Sequence, residues 1–347
     1  MDRPRPVSIK DVAREAGVST TTVSHALNDK GRLPEQTRER VRRVARELGY
    51  RPSAIARGLV SGRTGVLGLA VSVPDVVQDT FASIEYFSQV INGATAEATK
   101  RGHALVVVPA TGDGDAWQRL AVDGAVVVDP VEGDPNPDAI RAQGLLLVTI
   151  GNELPSAVTP AWSIDNDITS AVRSMLDHLA SAGARRPALL TWDWPDSYTI
   201  TSIASYEGWC TSKGIEPHVV RVANLPEVDR PVRDLVALVE GTPNAIDAVF
   251  ALYEPLGAMT LTAAADRGLA VPTDLVVAAT GDTGIGRTTM PTLTTLEFRA
   301  DRLGAEAIGL LIDRLEGSSP EPERRIVETT ITVRASTTQE AVAPETP

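Results

Sequence analysis

Apolar positions near the start of the chain recur at helical spacing. Ile9, Val12, Ala13 and Ala16 form one stripe behind Ser8, which with Asp11 three residues on gives a capping-box-like start. Gly17 stops this short helix where a left-handed residue is wanted, and Ser19 is placed to cap a second helix over Thr20–Leu27. Pro34 opens a third helix, whose stripe is Val41, Val44, Ala45 and Leu48 and whose end is Gly49. Small Ala13, turn-forming Gly17 and apolar Val18, Val23 and Leu27 suit a helix-turn-helix packed on the third helix.

Beyond Gly65 the pattern changes to short apolar runs separated by amphipathic stretches. Buried strands are expected at Val66–Val73, Ala104–Pro109, Ala125–Asp129 and Leu145–Ile150, with a short one at Trp162. A second set follows at Pro187–Trp192, Val219–Val222, Ala248–Leu252 and Leu275–Thr280. Helices are expected at Tyr86–Arg101, Ile168–Ala182, Leu256–Arg267 and Leu303–Glu316. Strand alternating with helix implies two parallel α/β subdomains.

Composition narrows the class. A chain of 347 residues, 43% hydrophobic and 22% charged, is an ordinary globular chain with room for two or three domains. No apolar run approaches the ~18 residues of a spanning helix. The basic start MDRPRPVSIK has no apolar stretch behind it, so a cytoplasmic protein is expected. The single cysteine, Cys210, excludes an intramolecular disulfide or a thiolate metal cluster and fits a reducing compartment. The net charge of -12 hides a split: residues 1–63 hold 14 Lys and Arg against 7 Asp and Glu, and the remainder 19 against 38. A basic head on an acidic body is the footprint of a polyanion-binding segment.

The second helix of that head leaves Thr20, Thr21, Ser24 and His25 outward, with no acidic residue between Ser19 and Asn28. Such a surface can enter a major groove, where Thr and Ser contact bases or phosphates and His donates to a purine acceptor. The runs VSIKDVAREAGVSTTTVSHALN and TRERVRRVARELGYRPSAIARGL closely resemble the DNA-binding head of the LacI/GalR family of bacterial regulators, and STTTVSHALN is most like its purine-repressor branch. The resemblance implies DNA contacts from Ser8, Lys10, Ser19, Thr20, Thr21, Thr22, Ser24, His25 and Asn28. It further implies a hinge segment, with Ser53, Ala54 and Ile55, that becomes helical on operator DNA. Arg57 joins the DNA-contacting set, and Leu59 wedges into the minor groove. A segment of about ten residues is too short to be a stable helix alone, which agrees with folding on binding.

The body resembles the periplasmic-binding-protein-like effector domain of the same family, in which the chain crosses between two lobes three times and a ligand sits in the cleft. Ligands of open α/β sheets bind outside the carboxyl ends of strands, so residues directly after strands are the candidates. These are Asp165, Trp192, Tyr253 and Asp282, with Trp194 beside them. By resemblance Asp282 takes the place of a carboxylate that hydrogen-bonds the effector, and the aromatic side chains can stack on a sugar or base face. Helix capping by the two carboxylates and core packing of Trp192 are the structural alternatives. The chain departs from the family at Ser205, which stands where an arginine usually grips the effector and is counted by that position among the effector contacts, and at Tyr253-Glu254 and Gly281.

The expected architecture is α/β: an all-α helix-turn-helix head over residues 1–50, a hinge over 51–65, a two-lobe effector and dimerisation domain over 66–335, and a disordered tail over 336–347. The expected function is a sequence-specific transcriptional regulator, a repressor that binds a palindromic operator as a homodimer under control of a sugar or purine-like effector, without cofactor or metal and without a membrane. The tail carries no leucine heptads, so a C-terminal tetramer helix is not expected. A regulator whose cleft has lost effector binding, a solute-binding protein and an architectural DNA-binding protein are the alternatives. No enzyme is expected: GDTGIG at Gly281–Gly286 lacks the phosphate-loop lysine, and the four histidines His25, His103, His178 and His218 are scattered.

Overall fold

The computed structural model describes residues 7–27, 31–50, 63–72, 85–108, 115–153, 162–223, 228–239, 245–281 and 284–338. They fall into two compact units, 1–65 and 66–347. The expected hinge residues Ser53, Ala54, Ile55, Arg57 and Leu59, together with Asn28 and Asp282, lie outside the described residues.

The head is three helices, α1 (Ile9–Ala16), α2 (Thr20–Leu27) and α3 (Glu35–Glu47). At the start of α1, Ser8 donates to Asp11 Oδ2 from both its backbone nitrogen (2.9 Å) and its hydroxyl (2.6 Å). Gly17 turns the chain at φ 63°, a left-handed conformation that costs glycine nothing. Val12, Ala13, Ala16, Val23, Ala26, Val41, Val44 and Ala45 form the core, with Val18, Leu27 and Leu48 packed at its margin.

The body has two parallel sheets. The N-lobe sheet contains β1 (Val66–Val71), β2 (Ala104–Val108), β3 (Gly124–Val128), β4 (Leu146–Ile150), β5 (Ser163–Asp165) and, from late in the chain, β11 (Arg324–Ile326), in the order β11-β5-β4-β3-β1-β2. The C-lobe sheet contains β6 (Pro187–Trp192), β7 (Val219–Val222), β8 (Ala248–Ala251), β9 (Val276–Thr280), β10 (Thr294–Glu297) and β12 (Thr330–Thr332), in the order β12-β10-β9-β8-β6-β7. All pairings are parallel except that of β12 with β10.

Helices cover both faces of each sheet, which is why the strands read as continuous apolar runs. On the N-lobe these include α4 (Glu85–Lys100), α5 (Ala116–Arg119) and α6 (Pro135–Ala142); on the C-lobe α7 (Ile168–Ser181), α8 (Ser197–Lys213), α9 (Asp229–Ala237), α10 (Glu254–Asp266) and the single turn α11 (Ile285–Thr288). The last helix, α12 (Ala300–Glu316), returns to the N-lobe and packs on α4. The two helices touch through glycine: a Cβ on Gly304 would lie 2.0 Å from Val90 O, so no larger residue keeps this approach.

The chain therefore crosses between lobes three times, after β5, after β10 and after β11, as the resemblance implied. The expected limits of α2, β6 and β7 match the observed ones, and the other expected strands and helices differ from them by at most three residues. Helices α8 and α9 were not anticipated. The expected tail also starts too early: Ser336 is fully buried, its hydroxyl donates to Val277 O at 2.6 Å, and its backbone nitrogen donates to Thr292 O at 2.9 Å. Thr337 is buried beside it within hydrogen-bond distance of Thr294 Oγ1 and His178 Nε2, so the chain to residue 338 closes the C-lobe.

Candidate nucleic-acid interface and inter-lobe cleft

In the head, the recognition helix α2 is held at its start by Ser19, whose hydroxyl accepts from Thr22 N at 3.1 Å and lies 2.9 Å from Thr22 Oγ1. Ser19, Thr20, Thr21 and Lys10 are exposed, and Ser8, Thr22, Ser24 and His25 are half-buried. Val23 and Ala26 point the opposite way into the core. The His25 ring rests on Gly31, where an added Cβ would come within 2.8 Å of Nδ1. Ser8 and Thr22 thus have hydroxyls already engaged within the head, whereas Thr20 and Thr21, with their hydroxyls, and Lys10, with its ammonium group, are exposed.

In the body, the expected effector residues separate. Asp165 ends β5 rather than following it; it is buried, accepts from Arg324 Nη2 at 2.7 Å and Asn152 Nδ2 at 3.0 Å, and burial raises its pKa against those two favourable contacts. It does not cap α7, a role taken by Asp167, which accepts from Ser170 N at 3.1 Å. Trp192 closes β6 and is buried, with Trp194 stacked on it at 6.2 Å between ring centroids. Tyr253 meets Trp194 edge-on at 5.2 Å and Tyr198 at 5.7 Å, and its hydroxyl lies 3.1 Å from Thr199 Oγ1.

Ser205 is not placed for a ligand. It is buried on α8 with its hydroxyl donating back to Thr201 O at 2.7 Å and lying 3.3 Å from Thr169 Oγ1, so the inclusion of Ser205 among effector contacts is corrected: a helix hydroxyl readily bonds the carbonyl one turn back.

Sequence reasoning missed two carboxylates. Asp129 directly follows β3 in a left-handed conformation (φ 48°), and Asp196 caps α8 by accepting from Thr199 N at 2.7 Å. They belong to different lobes, which are also joined here by an antiparallel bridge between Val131 and Asp196 and by Asn152 N donating to Ser197 Oγ at 3.2 Å. Burial, with the Asp196 charge added, pushes Asp129 up to about 8, and burial pushes Asp196 up to about 6. Interaction with the Tyr86 side chain opposes this rise at Asp129. The rule applied to the other strands, that residues just past a carboxyl end face the cleft, applies equally to Asp129.

Comparison with known proteins agrees with both units. Residues 8–53 match the model for bacterial regulatory proteins of the lacI family, and residues 176–337 match a periplasmic binding protein-like domain. The chain is 29% identical to the HTH-type transcriptional regulator CelR of Thermobifida fusca over 345 residues, covering 97% of this chain and all of the relative. It is 25% identical to the HTH-type transcriptional repressor PurR of Mannheimia succiniciproducens over 343 residues, covering 95% and 98%. Among solved structures, a CelR–cellobiose complex superposes with a TM-score of 0.69 at 27% identity over 96% of this chain and all of that one. A lac repressor dimer bound to operator and the anti-inducer ONPF shares the fold with a TM-score of 0.77 at 21% identity, over 96% and 99%. The helix-turn-helix head and two-lobe body define a ligand-responsive DNA-binding regulator. The chain joins a lacI-family helix-turn-helix domain to a periplasmic-binding-protein-like domain, and the relatives it matches are LacI-family transcriptional regulators. Among the described residues no helix is long and apolar enough to cross a membrane.

Proposed function

We propose that the protein is a cytoplasmic repressor that binds a palindromic operator as a homodimer and is controlled by a small molecule between the lobes of its body. The observation that carries this reading is the face of α2, where Thr20 and Thr21 stand exposed beside Ser24 and His25 with no acidic side chain among them. Lys10, exposed on α1, supplies a phosphate contact. Two such helices related by a two-fold axis read successive major grooves. Residues 51–65 act as the hinge, with Leu59 as the minor-groove wedge and Arg57 beside it; Asp282 joins Trp194 and Tyr253 at the effector site.

Lobe closure is the two-state element. A ligand that prefers one arrangement shifts its population and thereby the spacing of the paired hinges. The lac repressor structure holds an operator on a dimer and the CelR structure holds cellobiose, which supports the same division of labour here.

The test is selection of bound fragments from random and genomic DNA by the full-length protein at ~150 mM salt, where non-specific binding is weak. A recovered palindrome with a central pyrimidine–purine step is the expected result. Failure to enrich any motif, with or without cellobiose, overturns the reading.

A further inference from the structure

Away from the three crossings, the lobes meet through loops that follow strands. From the N-lobe come Val131 and Glu132, after β3, and Gly151 and Asn152, after β4; from the C-lobe comes the stretch from Pro195 to Ser197, which runs from β6 into α8. Val131 pairs with Asp196 as an antiparallel bridge, and Glu132 N donates to Pro195 O at 3.2 Å. Beside this bridge Asn152 N donates to Ser197 Oγ, also at 3.2 Å, and Ser197 is buried. These are contacts between groups of the chain itself, so they need no ligand to form.

Each side of the contact is fixed within its own lobe. Val131 begins a turn in which Asp134 N donates back to Val131 O at 3.1 Å with Gly133 left-handed at φ 76°, and Asp134 then caps α6 by accepting from Asn136 N at 2.8 Å. Asn152 is tied by its side chain to Asp165 Oδ2 at 3.0 Å, at the end of β5. Across the boundary, the Asp196 side chain accepts from Thr199 N at 2.7 Å and so sets the start of α8. Gly151 is left-handed at φ 79°, and a Cβ added there would lie 3.4 Å from Ser197 Oγ, so the two lobes approach to ordinary van der Waals contact at this point. Groups already held in place lose little further freedom when they pair, which makes the pairing stronger than one between mobile loops.

We propose that these contacts form one latch, which holds the lobes together without a ligand, and that opening it changes the affinity for operator DNA. The second half rests on the protein being an operator-binding regulator. A controlling ligand then acts on an arrangement that the chain already makes, and shifts it only by the difference between its affinities for the latched and unlatched forms. The turn offers a clean way to test this. Glu132 and Gly133 are its two central residues, and a left-handed glycine at the second position goes with proline at the first. Glu132→Pro therefore keeps the turn while deleting the N–H that crosses to Pro195 O.

The experiment is amide hydrogen exchange on the full-length protein with no small molecule added, beside titration of a selected operator. Ser197→Ala removes the acceptor of Asn152 N, and Glu132→Pro removes the donor to Pro195 O; each leaves the other hydrogen bond in place. The expected result is slow exchange of both amides in the parent, with each variant speeding exchange at the contact it does not touch. Glu132 N in Ser197→Ala and Asn152 N in Glu132→Pro should each exchange about fivefold faster, the net worth of one hydrogen bond. Amides of β3 and β6 exchanging as in the parent show that the variants fold. Operator affinity should shift by about two- to fivefold in both variants, with non-specific affinity unchanged. Fast exchange of both amides in the parent, or no effect of either variant on the distant contact, overturns the latch. Coupled exchange with operator affinity unmoved overturns its control of DNA binding. A parent that enriches no operator removes the regulator reading, while the exchange results still decide the latch.

Discussion

Asn166 donates from Nδ2 to Val327 O at 2.7 Å, and the same amide reaches Phe298 O at 3.2 Å. One side chain on the first inter-lobe crossing thus ties the other two, at the axis about which the lobes would rotate.

Asn166→Ala should leave two carbonyls short of a donor in a buried setting. A loss of about 1–3 kcal/mol is expected, read as a lower urea midpoint with an unchanged slope. Asn166→Asp should be worse than Ala, since it offers acceptors to acceptors and buries a charge. An unchanged midpoint in both variants would show that the crossings are held by other contacts.

The three crossings illustrate what was legible before any coordinates. The strands were readable because both faces of each sheet are covered, leaving runs such as LLVTI and VVAAT without alternation. Helix α8 was not readable: SYTITSIASYEGWCTSK is rich in β-branched, aromatic and hydroxyl residues, and only Asp196 before it and Gly214 after it mark a helix. Its buried face, including Ile203, Tyr206 and Trp209, is chosen by packing against α7 and the sheet. The candidate site divided in the same way. Residues exposed by a helical period, Thr20 and Thr21, were predictable from local pattern, whereas Ser205 turns inward onto Thr201 O of its own helix, and Asp129 feels the charge of Asp196 only because the two lobes, far apart in sequence, meet there.

The Asp129 carboxyl gives a pH signature with a definite sign. Its folded-state pKa of about 8 lies above its ordinary value, so the folded chain holds a proton that the unfolded chain has lost. The stabilisation is present below the ordinary carboxylate range and is lost as pH rises through about 8. The groups facing it are Tyr86, Asp165, Asp196, Tyr198 and Tyr253, with Arg324 held on Asp165. Asp129→Asn should therefore melt higher than the parent at pH 8, with the difference narrowing as pH falls and closing only in the ordinary carboxylate range, in thermal scans without ligand. A melting-temperature difference that is flat across this range would remove Asp129 from the titrating set.

Thr21 and Lys10 should fail differently when truncated. Thr21→Ala should change which base is preferred in a selected operator while leaving non-specific affinity alone. Lys10→Ala should weaken every sequence alike and reduce the slope of log affinity against log salt by about 1. If Thr21→Ala lowers all sequences equally, Thr21 is a phosphate contact and not a reader.

Ser19 has two roles that one pair of substitutions can separate. Its hydroxyl caps α2 through Thr22 N, and its exposed position faces the proposed DNA surface. Ser19→Ala should cost about 1 kcal/mol of local stability, seen as faster amide exchange in the first turn of α2, with weaker binding as a consequence. Ser19→Asp keeps a capping oxygen and favours the helix N-terminus, so exchange should stay slow. Its charge nevertheless faces phosphate, and operator affinity should fall further than in Ser19→Ala, most steeply at low salt. Equal affinities for Ser19→Asp and the parent would mean that this end of α2 stands away from the DNA backbone, and the docking of the recognition helix would have to be turned accordingly.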